Sequence, residues 1–369
     1  MKKILLILGI AVLAAVATVC MFVFLRLNSA ERPVSPYQFE DYLYFPSYYE
    51  EKEDAIWRIK SDGTEIEQVW SGVWWRFKIF DEKLYILGEK GLYQMQPDGA
   101  ESRLIVERRF KYGEEKDTID ITFTNISYDG GMIYLYCEAK ERRGIVTYDV
   151  SSDELSVRFL WERFRPVGWR QMVVRDSSLI YAKHEDYKFY KLKLKTEEEQ
   201  VLSPDTFEAN SIGTPLGFDG KWVTAFFQGF YDGKYYSNAR LFINVDGDMR
   251  IESPPNFWYL GYNSRGFARY ECDDIRGDVV RLDGKYSGAP DGILEVEKMP
   301  SMFYLYENHA IYYTKDPLDS DTQYPSDGDT GLGHYYLVNL DTGEEIEFMS
   351  DRYFWQGIMP VVGPLYGMD

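Results

Sequence analysis

Cysteine and histidine are nearly absent from this chain, with three of each in 369 residues. Cys20, Cys137 and Cys272 are far apart, so no spacing points to a metal site and no disulfide framework is implied. His184, His309 and His334 form no motif. No Gly-x-Ser-x-Gly elbow, His-Glu-x-x-His pair, phosphate-cradling loop or dinucleotide fingerprint occurs. These gaps remove the usual signatures of nucleophilic, metal-dependent and nucleotide-dependent catalysis. No cofactor and no metal are expected. Basic residues are also scarce, with 41 Lys and Arg against 60 Asp and Glu. Setting aside Lys2, Lys3 and Arg26 of the first thirty residues leaves 38 against 60, a net charge of −22. A body this acidic repels a phosphate backbone, which argues against a nucleic-acid partner. Beyond the first thirty residues no segment holds a sustained helical period, which argues against a helical body.

What is present begins at the N-terminus. Lys2 and Lys3 precede Ile4–Leu25, 22 uncharged and almost wholly apolar residues. A helix of that length spans about 33 Å, enough for a hydrocarbon core of about 30 Å. The apolar part of a cleaved signal peptide is shorter, about 7–15 residues. An uncleaved membrane anchor over residues 1–30 is therefore favoured over a cleaved signal. Lipid modification of Cys20 is a third reading, disfavoured by Val19 before it and by the apolar residues beyond it. The simplest topology places residues 31–369 outside the cytoplasm, with the N-terminal helix as the membrane contact. An exported chain so poor in cysteine fits a bacterial surface better than an animal secretory pathway.

The body is rich in aromatic residues, 17% overall with 31 Tyr, and 45% of the chain is apolar. That suits strands and a sizeable core. Short apolar pairs recur at Leu43-Tyr44, Leu84-Tyr85, Ile133-Tyr134, Ile180-Tyr181, Val223-Thr224, Ala268-Arg269 and Ile311-Tyr312, at intervals of 41, 49, 47, 43, 45 and 43 residues. Each follows a turn-like group: "FEDY", "FDEK", "YDGG", "RDSS", "FDGK", "NSRG", "YENH". Most units continue into a second hairpin, as in "IWRIKSDGTEIEQV", "LYQMQPDGAESRLIV", "LFINVDGDMRIE" and "YYLVNLDTGEEIEFM"; units three and four keep the alternation but lose the glycine. Asp-Gly between alternating runs predicts a hairpin closed by a type I′ turn. Four short strands per repeat of about 40–50 residues is the period of a β-propeller. The expected fold is all-β, a seven-bladed β-propeller preceded by one transmembrane helix. Either Val34–Phe39 or Tyr353–Gly363 is expected to supply a strand that completes the ring.

The unit Tyr42–Val69 resembles the YWTD-type propeller repeats of lipoprotein-receptor ectodomains, and exported bacterial proteins of unknown function built from similar repeats. The shared pattern is a Tyr-rich strand, a variable loop, an Ile-x-Arg-Ile-like strand and Asp-Gly; the Tyr-Trp-Thr-Asp signature itself is absent. The resemblance implies the fold and adds little about function, because the family hosts binding roles with no common catalytic residues to carry across.

In such a fold the loops between strands two and three, and those between blades, emerge together. The long insertions fall there: Pro46–Ala55, Gln228–Asn238 and Lys315–Gly333, with the connections Ser71–Trp75, Glu107–Asp117 and Leu160–Pro166. Decorated loops on a rigid scaffold are where binding concentrates. The candidate aromatic residues are Tyr48, Tyr49, Trp74, Trp75, Phe230, Tyr231, Tyr235, Tyr236 and Tyr324. Exposed, they could stack on sugar rings or anchor a protein. The alternative is that Trp74 and Trp75 begin an inner strand and one packs between blades. The candidate cations are Arg108, Arg109, Arg163 and Arg165, able to bind a carboxylate or phosphate bidentately, or else spent on ion pairs with Glu107, Glu114, Glu115 and Glu162. Asp316, Asp319, Asp321, Asp327 and Asp329 lack the order of a calcium loop. The function expected is a binding module for a protein or a cell-envelope glycan. The alternatives are a carboxylate-dependent glycan hydrolase or lyase, and a structural subunit of an envelope complex.

Overall fold

The computed structural model describes residues 37–47, 55–112, 117–139, 142–161, 172–183, 186–218, 222–252, 258–263, 266–273, 277–284, 293–295, 302–315 and 330–354. The chain divides after Val34 into two units, and every described residue belongs to the second. The expected anchor lies outside the described residues. Among those described, no helix is long and apolar enough to cross a membrane.

The described residues are all-β and form seven four-stranded antiparallel sheets, taken in strict chain order. Sheet 1 comprises β1 Gln38–Phe39, β2 Tyr42–Ser47, β3 Ala55–Lys60 and β4 Glu67–Ser71. Sheet 2 comprises β5 Trp74–Phe80, β6 Lys83–Gly88, β7 Gly91–Met95 and β8 Arg103–Glu107. A two-stranded ribbon follows, β9 Arg109–Tyr112 with β10 Asp117–Asp120. Sheet 3 comprises β11 Thr122–Asp129, β12 Met132–Ala139, β13 Arg142–Asp149 and β14 Leu155–Trp161. Sheet 4 comprises β15 Met172–Arg175, β16 Ser178–Ala182, β17 Phe189–Lys193 and β18 Glu199–Val201. Sheet 5 comprises β19 Phe207–Phe218, β20 Trp222–Tyr231, β21 Lys234–Asn244 and β22 Met249–Glu252. Sheet 6 comprises β23 Trp258–Asn263, β24 Gly266–Asp273, β25 Gly277–Gly284 and β26 Ile293–Glu295. Sheet 7 comprises β27 Met302–Leu305, β28 His309–Lys315, β29 Thr330–Asn339 and β30 Glu345–Phe354.

Burial falls steeply from the second strand to the fourth in sheets 2 and 4: all of β16 is covered, and so are five of the six residues of β6. They read as continuous apolar runs because a neighbouring sheet packs against each of their faces. The fourth strands are mostly exposed, as in β4 and β18. Their charged residues keep these outer edges from pairing with other chains. One apolar cluster joins sheets 2 and 3, another sheets 3 and 4, and a third sheets 4 and 5. The inner strands β23 and β27 of sheets 6 and 7 also lie side by side.

The last sheet returns to the first. Tyr304, Tyr306, Ile311, Tyr335 and Leu337 of the seventh repeat share one core with Tyr37, Leu43 and Phe45 of the first. The Tyr306 hydroxyl donates to the Tyr44 carbonyl at 2.6 Å, and Tyr37 meets Tyr304 edge-on with centroids 5.4 Å apart. Sheets packed face on face in sequence, with the last returning to the first, are the construction of a β-propeller. Of the two segments expected to supply a strand, Val34–Phe39 does so, as β1 Gln38–Phe39 of the first sheet, but no described sheet mixes strands from the two ends of the chain. Each sheet draws its four strands from one continuous stretch. Gln38 and Phe39 form β1 within their own sheet, Tyr353 and Phe354 merely lengthen β30, and residues 355–363 lie outside the described residues. The repeat is already in phase at Gln38, so among the described sheets none is left short of a strand.

The turns also differ from expectation. The Asp-Gly turns of the second hairpins are not type I′. In "SDGT" only Gly63 has positive φ, +83°, while Gly63 N donates to Lys60 O at 2.9 Å and Asp62 caps the Thr64 amide. Asp149–Asp153 and Lys193–Glu197, where glycine is missing, keep the same left-handed residue in Asp153 (+57°) and Glu197 (+58°). Positive φ at two successive residues occurs instead in the first hairpins, at Asp81-Glu82, Gly130-Gly131 and Asp176-Ser177. The two turns of a sheet then bond to each other: Ser61 N to Asp41 O, Val150 N to Gly131 O, Leu194 N to Ser177 O and Leu340 N to Asn308 O. Neighbouring sheets join in as well. Ser177 N and Arg175 reach Asp129, Tyr128 donates to Asp81, and Arg103 pairs with Asp153. One end of the sheets is thereby closed off by short, mutually bonded turns.

His309 lies at this end, at the start of β28. Burial removes water from its imidazolium and lowers its pKa below the ordinary value, with Asp341 opposing the shift. The unfolded chain therefore takes up a proton that the folded chain resists. This contribution to stability is full above about pH 6.5 and falls as pH drops below it. His309→Gln is expected to flatten the loss of melting temperature between pH 7 and pH 5 relative to the parent. Superimposable slopes for the two proteins would refute that.

Candidate functional site

The opposite end carries the second-to-third-strand and sheet-to-sheet connections. They meet there: Arg108 N, just after β8, donates to the carbonyl of Lys90 in the β6–β7 turn at 2.9 Å. Arg108 is held on several sides. Its Nε donates to Ile121 O at 3.0 Å, Nη1 to Glu89 O at 3.3 Å, and Asp120 lies 3.7 Å away. It fastens the β9–β10 ribbon to sheet 2. Arg109 is different: its side chain is 74% exposed, with Asp120 3.4 Å from Nε. Both pair with Asp120, while Glu114, Glu115 and Glu162 lie outside the described residues.

The same end of sheet 3 brings Arg142 and Arg143 into the neighbourhood. Thr122, which Arg108 Nη2 reaches at 3.5 Å, stands opposite Glu138, and Glu138 pairs with Arg143 at 2.8 Å. The guanidinium of Arg142 sits 6.0 Å from the Phe159 ring. These two arginines were missed from sequence because they open a strand rather than crown a long loop. Their signal was the second-strand-to-third-strand position, shared with the other insertions.

Trp74 begins β5 and is buried. It meets Phe77 edge-on at 5.7 Å inside the core shared by sheets 7, 1 and 2. It therefore packs between sheets. Tyr48, Tyr49, Arg163, Arg165, Tyr324 and the five loop aspartates lie outside the described residues, as does the Trp75 side chain.

The stretch Gln228–Asn238, expected as a loop, is a hairpin of two long strands. β20 continues to Tyr231, Asp232 (φ +49°) and Gly233 (φ +73°) make the turn, and β21 starts at Lys234. Its four aromatics divide by face. Tyr231 and Tyr236 are partly buried against the core between sheets 4 and 5, where Tyr236 lies 6.1 Å from Phe227. Burial raises the pKa of Tyr231. Phe230 and Tyr235 pair across the strands on the other face, with ring centroids 5.0 Å apart and planes inclined at 58°. They are 42% and 45% exposed. Gln228 Nε2 donates to the Tyr235 hydroxyl at 3.0 Å and fixes that ring.

Chemistry elsewhere is sparse. Among the described residues no cluster of three or more His, Cys, Asp or Glu could hold a metal ion. His334 Nδ1 lies 2.9 Å from Glu347, a pair on the outer strands of sheet 7. Cys137 is fully buried in the core, and burial pushes its thiol up to about 12, far from a reactive thiolate.

No protein-family profile and no curated protein matches the chain. Solved structures do. An oligogalacturonate lyase in complex with manganese covers 83% of this chain over 73% of its own, at 9% identity and a TM-score of 0.44. TolB from Acinetobacter baumannii covers 86% over 85% of its own, at 10% identity and TM-score 0.41. A nidogen/laminin complex covers 85% over 99% of its own, at 10% identity and TM-score 0.33. Likeness at this level says nothing about ligand or chemistry.

Proposed function

We propose that this chain is a seven-bladed, membrane-anchored propeller outside the cytoplasm that binds a protein or a cell-envelope glycan through its loop-bearing end. The observation that carries the reading is the difference between the two ends. One is shut by tight turns that bond to each other and to neighbouring sheets. The other bears the ribbon β9–β10, the exposed Arg109 and the exposed ring pair Phe230 and Tyr235. Rigid scaffolds place recognition on such variable connections. The apolar run Ile4–Leu25 supports the anchor, and the net charge supports a partner that is not a polyanion.

Two measurements test it together. The full chain is expected to sediment with membranes and resist carbonate extraction, while a chain starting at Ser35 is expected to stay in the supernatant. The full chain in detergent is expected to retain isolated envelope material, and to lose that retention when residues 109–120 are replaced by a short Gly-Ser link together with Phe230→Ala and Tyr235→Ala. Retention unchanged by these replacements would remove the loop-bearing end as the binding surface.

A further inference from the structure

We infer that the projecting end of sheet 5 is a platform for an uncharged pyranose chain; this rests on the binding role proposed above and specifies its ligand. The platform spans β19, β20 and β21. Glu208, Phe230 and Tyr235 stand directly opposite one another across the three strands, and Ser211 stands opposite Gln228. All five are exposed. Two bulges shape it, one between Ala209 and Ser211 and one between Phe227 and Gly229. Gly229 has φ +150°, and a Cβ there would lie 2.2 Å from Glu208 O. Glycine thus lets β19 close up on β20. Bulges of this kind re-aim side chains, and here the residues beyond the bulge divide between a buried and an open face.

The chemistry of the strip fits sugar. Two rings inclined to each other offer apolar π faces with negative quadrupoles, which attract the polarised C–H bonds on the flat side of a pyranose. Around them stand a carboxylate, a hydroxyl and an amide, which accept from and donate to ring hydroxyls. The Gln228 bond to Tyr235 holds one ring in place before a ligand arrives, which lowers the ordering cost of binding.

Size and charge narrow the occupant. Three strands about 4.8 Å apart give a strip about 10 Å wide. Its area, on the order of 100–200 Å², falls well short of the roughly 800 Å² each partner buries in a stable protein interface. One or two sugar rings cover it. Glu208 on the strip and a body charge of −22 disfavour uronate or phosphate polymers.

The test uses the full chain in detergent micelles, titrated calorimetrically with cellohexaose, mannohexaose and chitohexaose, and with a hexauronate as the charged probe. At least one neutral hexaose is expected to bind more tightly than the hexauronate. Phe230→Ala with Tyr235→Ala is expected to weaken that binding at least tenfold. Tyr236→Phe, on the buried face, is expected to leave it unchanged. Circular dichroism melts confirm that each variant is folded. The inference is overturned if no neutral hexaose binds, if the hexauronate binds best, or if the double variant binds as the parent does. Retention of envelope material by the parent in the same preparation separates the two levels: retention without hexaose binding overturns the platform alone, and loss of both overturns the binding role with it.

Discussion

Gly91→Ala is expected to lower the melting temperature by roughly 5 °C. Gly91 opens β7 with φ +145°, and a Cβ there would lie 1.9 Å from Val106 O and 3.0 Å from Val106 C. Both obstacles are backbone, so no rotamer change relieves them. The strand β8 has to retreat, and the bonds of Arg108 to Lys90 and Glu89 go with it. Backbone strain of about 1–3 kcal/mol and overpacking of about 1–3 kcal/mol combine to about 4 kcal/mol, and a body of this size converts that to the roughly 5 °C stated. Gly130→Ala is the matched control. Gly130 has φ +58° with nothing within 4 Å of an added Cβ, so only the left-handed penalty of about 1 kcal/mol applies. Thermal melts of the two variants settle the matter. Equal losses would mean that the crowding at Val106 is not real.

Tyr306→Ala is expected to cost about 3–5 kcal/mol and to loosen the contact between the seventh and first sheets before any other. The ring is fully buried, and its hydroxyl donates to Tyr44 O. Burial raises the phenol pKa well above its ordinary value, so it stays a neutral donor even at alkaline pH. No strand is shared across this contact, and the backbone ladder that holds each sheet internally does not continue through it. Side chains carry the closure instead: Tyr306, the Tyr37–Tyr304 pair, and Phe45 against Tyr335 at 5.8 Å. Tyr306→Phe keeps the packing and loses one hydrogen bond, with an expected cost of about 1 kcal/mol. Hydrogen exchange resolves the location. In Tyr306→Ala the amides of β2 and β28 are expected to exchange faster, with those of β12 and β13 unchanged. Uniform acceleration across all sheets would contradict a local seam.

Much of the fold was legible in the sequence because its causes are local. The period of 41–49 residues marks one sheet each time, since every sheet is a plain meander whose strands follow one another in the chain. Alternation and turn residues therefore locate strands without knowledge of distant contacts. Lys60–Gly63 and Asn244–Gly247 were recognisable as turns for the same reason. Their type was not, because Asp-Gly serves both a two-residue I′ turn and a four-residue turn with one left-handed residue, and the length of the pairing on either side chooses between them. Arg108 shows the other limit. Glu107 precedes it in sequence, yet it bonds to Glu89 O and Ile121 O and pairs with Asp120, brought together by the ribbon.

The sequence by itself determined the all-β character, the repeat and its phase, and which connections are long. Tertiary structure decided which of those residues face solvent. In "QGFYDGKYY" the aromatics read as one cluster, but Phe230 and Tyr235 face out while Tyr231 and Tyr236 pack inward. A strand's alternation has period two, so one inserted residue exchanges its faces. The insertions here are bulges, and Gly229 holds its own through the approach of Glu208, a residue about twenty positions away on another strand. That contact is not written in any local pattern, and it is what leaves an aromatic pair uncovered at the end of sheet 5.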